Sequence, residues 1–207
     1  MTEAGSRPAA DGRPRTRLRT VGSAELAAAL AAALHGGPVV APLPSDPVER
    51  RRALALLRPD RPVPEPDAAV VITTSGSTGR PKAAVLSRAA IRASVAATHS
   101  RLGGPGDWVL ALPGHYVAGL MVLARTLVAG TRAWPARTDL RDLPAAAAEL
   151  NGRRYLAVVP TQLARARRSP RVWTALTAFD TVLVGGGRAE PGPVSYTHLT
   201  LPTTPYV

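Results

Sequence analysis

Short apolar runs rich in β-branched residues recur along the chain, with helix-length segments between them. That alternation limits the fold more than any other feature. The runs at 68–73, 108–112, 155–159 and 181–184 have strand length and little polar character. Strands buried on both faces belong in a parallel sheet with helices on each side. The stretches at 88–101, 117–129, 139–150, 161–168 and 171–178 supply those helices, and a further strand is expected near 131–134. Upstream, Ser23 is placed to cap a helix over 24–35 that Gly36 and Gly37 stop. A short buried strand follows at 39–43, and Ser45 or Asp46 opens a helix running to about Leu57. Four prolines make 59–67 an extended connector. The expected class is α/β, with a mostly parallel, helix-covered sheet. Ligands of such sheets bind beyond the carboxyl ends of the strands. The loops at 74–82, 113–116 and 185–187 all follow strand ends.

Composition narrows the function classes. Aromatics are only 4% of the chain against 45% hydrophobic residues, so the core must be built from Ala, Val and Leu. Cysteine is absent, which excludes disulfides, thiolate metal sites and a cysteine nucleophile. No uncharged apolar run reaches the length of a membrane span, and the Arg- and Pro-rich start has no signal-peptide core. A cytoplasmic protein is expected, with residues 1–20 as a disordered leader. The formal charge of +12 would suit a polyanion partner. Its 26 basic residues are all Arg except Lys82, they are scattered, and few aromatics lie among them. No nucleic-acid partner is expected.

The stretch from Thr73 to Lys82 carries the most specific chemistry. Hydroxyl side chains alternate with Gly76 and Gly79. Glycine lets backbone N–H groups close on an anion, and Ser and Thr hydroxyls donate to phosphate oxygens. Lys82 adds a point charge, and Pro81 stiffens the chain before it. The spacing is not that of a Walker A loop, because Gly76 and Gly79 lie too close and Lys82 precedes Ala83 and Ala84. Nor is it the dinucleotide G-x-G-x-x-G. A strand before the loop and a helix after it are expected.

The full string T-S-G-S-T-G-R-P-K resembles the signature loop of the acyl-adenylate-forming superfamily, which includes acyl-CoA synthetases, luciferases and peptide-synthetase adenylation domains. One departure is Ala83, where the family usually has Gly. The resemblance implies that Thr74, Ser75, Gly76, Ser77, Thr78, Gly79 and Lys82 hold the phosphates of ATP, with Thr78 toward Mg2+. Two further matches follow in family order. Residues 112–119, L-P-G-H-Y-V-A-G, resemble the L-P-x-x-H-x-x-G motif, which implies that His115 lines an acyl and adenylate pocket. The string V-G-G-G-R-A at 184–189 implies that Gly185, Gly186 and Gly187 lie against the adenine and the acyl group.

Within the superfamily, H-Y-V-A-G-L-M-V-L-A-R and V-P-T-Q-L-A-R resemble the o-succinylbenzoate–CoA ligases of menaquinone synthesis. That likeness implies a small carboxylic acid as partner, ATP and Mg2+ for its activation, and coenzyme A as co-substrate. Other acyl-CoA synthetases and a non-catalytic nucleotide-binding module remain open alternatives. Gln162 and Arg165 follow a strand end, where they can approach an aromatic dicarboxylate or merely face a helix surface.

The likeness covers about 21–192, roughly the front half of such an enzyme. The family's later acidic motif, ribose-binding aspartate, hinge and C-terminal lysine have no counterpart here, and Lys82 belongs to the loop. Residues 193–207 break with everything before them: they are Thr-rich, lack Arg and Ala, and carry no charged side chain. Residues 194–203 also match, codon for codon, the translation of a transposase-type sequencing adapter, so a non-native tail is expected. An incomplete fragment that retains no catalytic residue and has little or no ligase activity is therefore expected.

Overall fold

The computed structural model of the chain describes residues 17–74 and 81–186. The chain forms two compact units, Met1–Arg92 and Ala93–Val207, and each contains one four-stranded sheet.

The first unit contains β1 (Arg19–Val21), α1 (Ser23–Leu34), β2 (Val40–Pro42), α2 (Pro47–Leu57), β3 (Ala68–Thr74) and β4 (Lys82–Ser87), with the strands in that order across the sheet. The first three strands run parallel and β4 runs antiparallel to β3. Asp46 starts α2, its carboxylate accepting from the N–H groups of Val48 and Glu49, and Pro47 occupies the first turn. Ala53 and Leu57 of α2 pack with Val39, Ala41, Leu43, Ala68 and Val71. Ser23 is not the cap of α1; Gly22 holds that position without a side-chain bond. The other end of α1 is closed from a distance. Arg88 donates to the carbonyls of Ala33 and Gly37, and Arg92 donates to that of Leu34. Guanidinium groups thus satisfy carbonyls that a helix C-terminus leaves open.

Helix α3 (Arg88–Leu102) leads into the second unit, which contains β5 (Asp107–Leu110), α4 (Val117–Ala129), β6 (Ala133–Pro135), α5 (Leu143–Ala148), β7 (Arg154–Val158), α6 (Pro160–Ala166), α7 (Pro170–Ala175), a 3-10 turn and β8 (Thr181–Val184). The strand order is β6-β5-β7-β8 and every pairing is parallel. Alternate residues face opposite cores. Val109, Leu156, Val158 and Val182 pack with Leu143, Ala146 and Val172 on one side. Trp108, Tyr155 and Ala157 pack with Val122 on the other. The Trp108 and Tyr155 rings meet at 5.1 Å, and the Tyr155 hydroxyl shares its proton between the carbonyls of Leu102 and Gly104. Burial holds that phenol above its usual pKa, so it stays a donor.

The parallel, helix-covered plan expected from the sequence is present, with four differences. There are two sheets rather than one. The segment between the signature loop and the helix expected over 88–101, unassigned from its sequence, is strand β4. Its sequence, KAAVLS, has alanines where a strand pattern would show, and pairing along β3 decides its conformation. Helix α5 is confined to Leu143–Ala148 within the expected 139–150. Asp142 accepts from the Arg137 N–H and Asp139 from the Arg141 N–H, which fixes a turn ahead of Pro144. Finally, β1 starts at Arg19, inside the span assigned to the leader, and Leu18 is buried.

Candidate functional site

In the first unit, the signature loop joins two antiparallel strands. Thr73 pairs with Ala83 and Thr74 with Lys82, so the loop leaves and returns at one point on the sheet. The Thr74 hydroxyl lies 3.4 Å from the Lys82 carbonyl, and Lys82 is exposed. Ser75, Gly76, Ser77, Thr78 and Gly79 lie outside the described residues. Strand β4 fills the segment between the loop and α3, which carries no assignment from its sequence, and α3 falls where the helix over 88–101 is expected. No helix N-terminus follows the loop directly. Ser87 does cap α3 as expected, accepting from the Ala90 N–H.

In the second unit, parallel pairing puts all four strand ends on one edge. His115 lies on the turn after β5, half-buried, with its ring 4.2 Å from that of the more exposed Tyr116. The turn is held by the Tyr116 N–H donating to the Pro113 carbonyl and the Leu120 N–H donating to the Tyr116 carbonyl. Gly119, the last residue of the L-P-x-x-H-x-x-G motif, packs straight against this turn. A Cβ there would sit 2.3 Å from the Pro113 oxygen and 2.6 Å from the Leu112 oxygen. The motif glycine therefore serves close packing that holds the His115 turn onto α4.

Gly185 and Gly186 leave the end of β8. The Gly185 N–H donates to the Val158 carbonyl, and Gly186 has φ +80, a left-handed conformation that favours glycine. A Cβ on Gly185 would meet nothing within 4 Å. Neither sterics nor conformation among the described residues requires glycine at 185. Gly187 lies outside the described residues. Strand β7 separates β5 from β8, so the His115 turn and Gly185 start about 10 Å apart across the edge.

The sequence did not show what Gln162 does. This residue is 6% exposed, and its amide bonds to three backbone groups: the Val159 N–H donates to Oε1, while Nε2 donates to the carbonyls of Ala111 and Thr138. Its position after a strand was legible, but its partners lie 24 and 51 residues away. Arg165 is exposed on α6. A second unforeseen cluster lies on the helix-α4 side of the sheet. The Arg125 guanidinium sits 5.0 Å from the Trp108 ring centroid, a cation–π distance. Burial, and secondarily the Arg125 charge, hold His99 below its ordinary pKa. Among the described residues, no group of three or more His, Cys, Asp or Glu could hold a metal ion, and no helix is long and apolar enough to cross a membrane. Thr78, the residue expected near Mg2+, lies outside them.

Comparison with known proteins gives the same family from two directions. The family model described as AMP-binding enzyme matches residues 9–203. A probable 2-succinylbenzoate–CoA ligase of Mycobacterium tuberculosis is 44% identical over 153 residues, covering 72% of this chain and 39% of that protein. Among solved structures, an arginine-to-lysine variant of Escherichia coli MenE with bound OSB-AMS aligns with a TM-score of 0.52 at 26% identity, covering 74% of this chain and 39% of that one. The N-terminal subdomain of Klebsiella oxytoca NpsA, in complex with 3-hydroxyanthranilyl-AMSN, has the same fold with a TM-score of 0.58 at 18% identity, over 85% of this chain and 64% of that one. The chain thus spans about two fifths of the curated relative's length.

Proposed function

Because the chain belongs to the AMP-binding enzyme family, we propose that it is part of an ATP-dependent acid–CoA ligase whose acid is o-succinylbenzoate, in menaquinone biosynthesis in the cytoplasm. In the first unit, Thr74, Ser75, Gly76, Ser77, Thr78, Gly79 and Lys82 hold the β- and γ-phosphates. In the second, His115 borders the acyl group, and Gly185, Gly186 and Gly187 give the adenine a flat backbone surface. The acid's carboxylate attacks the α-phosphorus of ATP, forming the acyl–phosphate bond and breaking the bond to pyrophosphate. The thiol of coenzyme A then attacks the acyl carbon, forming the thioester and releasing AMP. Lys82 and the loop amides stabilise the charge that develops on the departing pyrophosphate. Mg2+ would supply further charge neutralisation on the phosphates, with Thr78 as the residue proposed to hold it.

The observation that carries this function is the pairing of Thr74 with Lys82 at the mouth of the signature loop. The pairing supports a phosphate grip because it returns the chain's one lysine to the start of its hydroxyl- and glycine-rich segment. The acid is taken from the name of the 44%-identical relative. The 207-residue chain alone is proposed to bind nucleotide with little or no thioester formation, since its relatives carry more than twice its aligned length.

Calorimetric titration of the chain with MgATP tests the grip. Lys82→Ala removes one charge-assisted contact, a loss of about 1.5–3 kcal/mol, which weakens binding about 10- to 150-fold. Undiminished MgATP affinity in that variant sinks the assignment of Lys82.

A further inference from the structure

Resting on the adenylate function proposed above, we propose that Gln162 is the positioning residue of the adenylate-facing sheet edge, fixing the His115 turn and the glycine surface through backbone bonds rather than by touching ligand. Its Nε2 reaches the carbonyl of Ala111 at 3.0 Å, the first residue beyond β5 and four residues before His115. The same nitrogen reaches the Thr138 carbonyl at 2.8 Å, in the turn that follows β6. Its Oε1 accepts at 3.0 Å from the N–H of Val159, the first residue beyond β7. The fourth strand end joins through Val159, whose Cγ1 would lie 3.3 Å from a Cβ on Gly186. One side chain therefore ties the segments after β5, β6 and β7 directly and abuts the segment after β8 through Val159.

The chemistry of the amide explains the residue type. Only Asn and Gln combine two N–H donors with a carbonyl acceptor on one planar group. Both donors here are already committed to protein carbonyls, so Gln162 has none left for a bound acid. That commitment replaces the alternative of a contact with the dicarboxylate. The bonds are buried with the side chain, where hydrogen bonds hold geometry tightly and unpaired groups are costly. A pocket edge needs such support, because binding groups must be held within about half an ångström of their working positions.

Two variants of the full chain test the proposal. Gln162→Met keeps length and volume but removes all three bonds. Gln162→Glu keeps an acceptor for Val159 while turning a carboxylate toward two carbonyls, and protonation at low pH returns one donor. Each would be titrated with a non-hydrolysable o-succinylbenzoyl-adenylate analogue and with inorganic pyrophosphate, at temperatures below its own melting point. The expected result is at least a tenfold loss of analogue affinity in both variants, pyrophosphate affinity within threefold of the parent, and partial recovery of analogue binding by Gln162→Glu as pH falls. Amide exchange at 112–116 should quicken in Gln162→Met. A lowered melting temperature with analogue affinity within threefold of the parent would show a purely structural residue and overturn the proposal. Failure of the parent chain to bind the analogue while Gln162→Met still quickens exchange at 112–116 would instead overturn the adenylate function on which the proposal rests.

Discussion

Gly119→Ala is the sharpest perturbation of the second unit, because two opposing terms can be sized from the structure. On an open helix the change would stabilise by about 1 kcal/mol, since alanine loses less backbone entropy than glycine. Here a Cβ would fall 2.3 Å from the Pro113 oxygen and 2.6 Å from the Leu112 oxygen. Both are backbone atoms of the turn and cannot rotate away as a side chain could. Relief to the 3.0 Å floor for real Cβ contacts requires a shift of about 0.7 Å between α4 and the turn. Overpacking of this kind costs about 3 kcal/mol at the upper end of its usual range. The clash wins, leaving about 2 kcal/mol of destabilisation and a Tm lower by about 4–8 °C for a chain of this size. Thermal unfolding followed by far-UV circular dichroism measures the shift. The displaced turn carries His115, so affinity for an adenylate analogue should fall as well. A variant with unchanged or raised Tm would refute the packing explanation of the motif glycine.

Gly185 should behave in the opposite way. Gly185→Ala meets no atom within 4 Å, so its Tm should stay within about 2 °C of the parent while adenylate-analogue affinity drops at least tenfold; unchanged affinity would remove Gly185 from the nucleotide surface. His99 predicts a pH dependence. Its pKa in the fold lies below the ordinary 6.5, so the unfolded chain binds the proton more readily. The associated stability is fully present above pH 6.5 and is lost as pH falls through the lower folded value. Tm measured against pH should therefore fall below that point, and His99→Gln should flatten the fall; equal slopes in both proteins would contradict the assignment.

Much of this was legible in the sequence because parallel strands buried on two faces leave an unmistakable apolar run. The strand at 181–184 and the helix at 117–129 fall where patterning puts them. Three kinds of feature escaped. β4 is rich in alanine, and only its pairing with β3 reveals it. β1 is three residues long, set by backbone pairing with β2 rather than by any pattern of its own. Gln162 was visible as a polar residue after a strand, but its role depends on carbonyls far away in sequence. The candidate site divides in the same way. Motif spacing singled out the loop at 74–82, His115 and the glycines as candidates, whereas the reason for Gly119 appears only when the turn and α4 are seen packed together.

The protein carrying this chain is proposed to activate a carboxylic acid on ATP. Pyrophosphate release by the full gene product, measured with and without o-succinylbenzoate, tests it most directly. The predicted result is pyrophosphate formed only when the acid is present, in step with AMP, and abolished or strongly reduced by Lys82→Ala. Pyrophosphate release that ignores the acid, or none at all from a folded product that binds ATP, would contradict it.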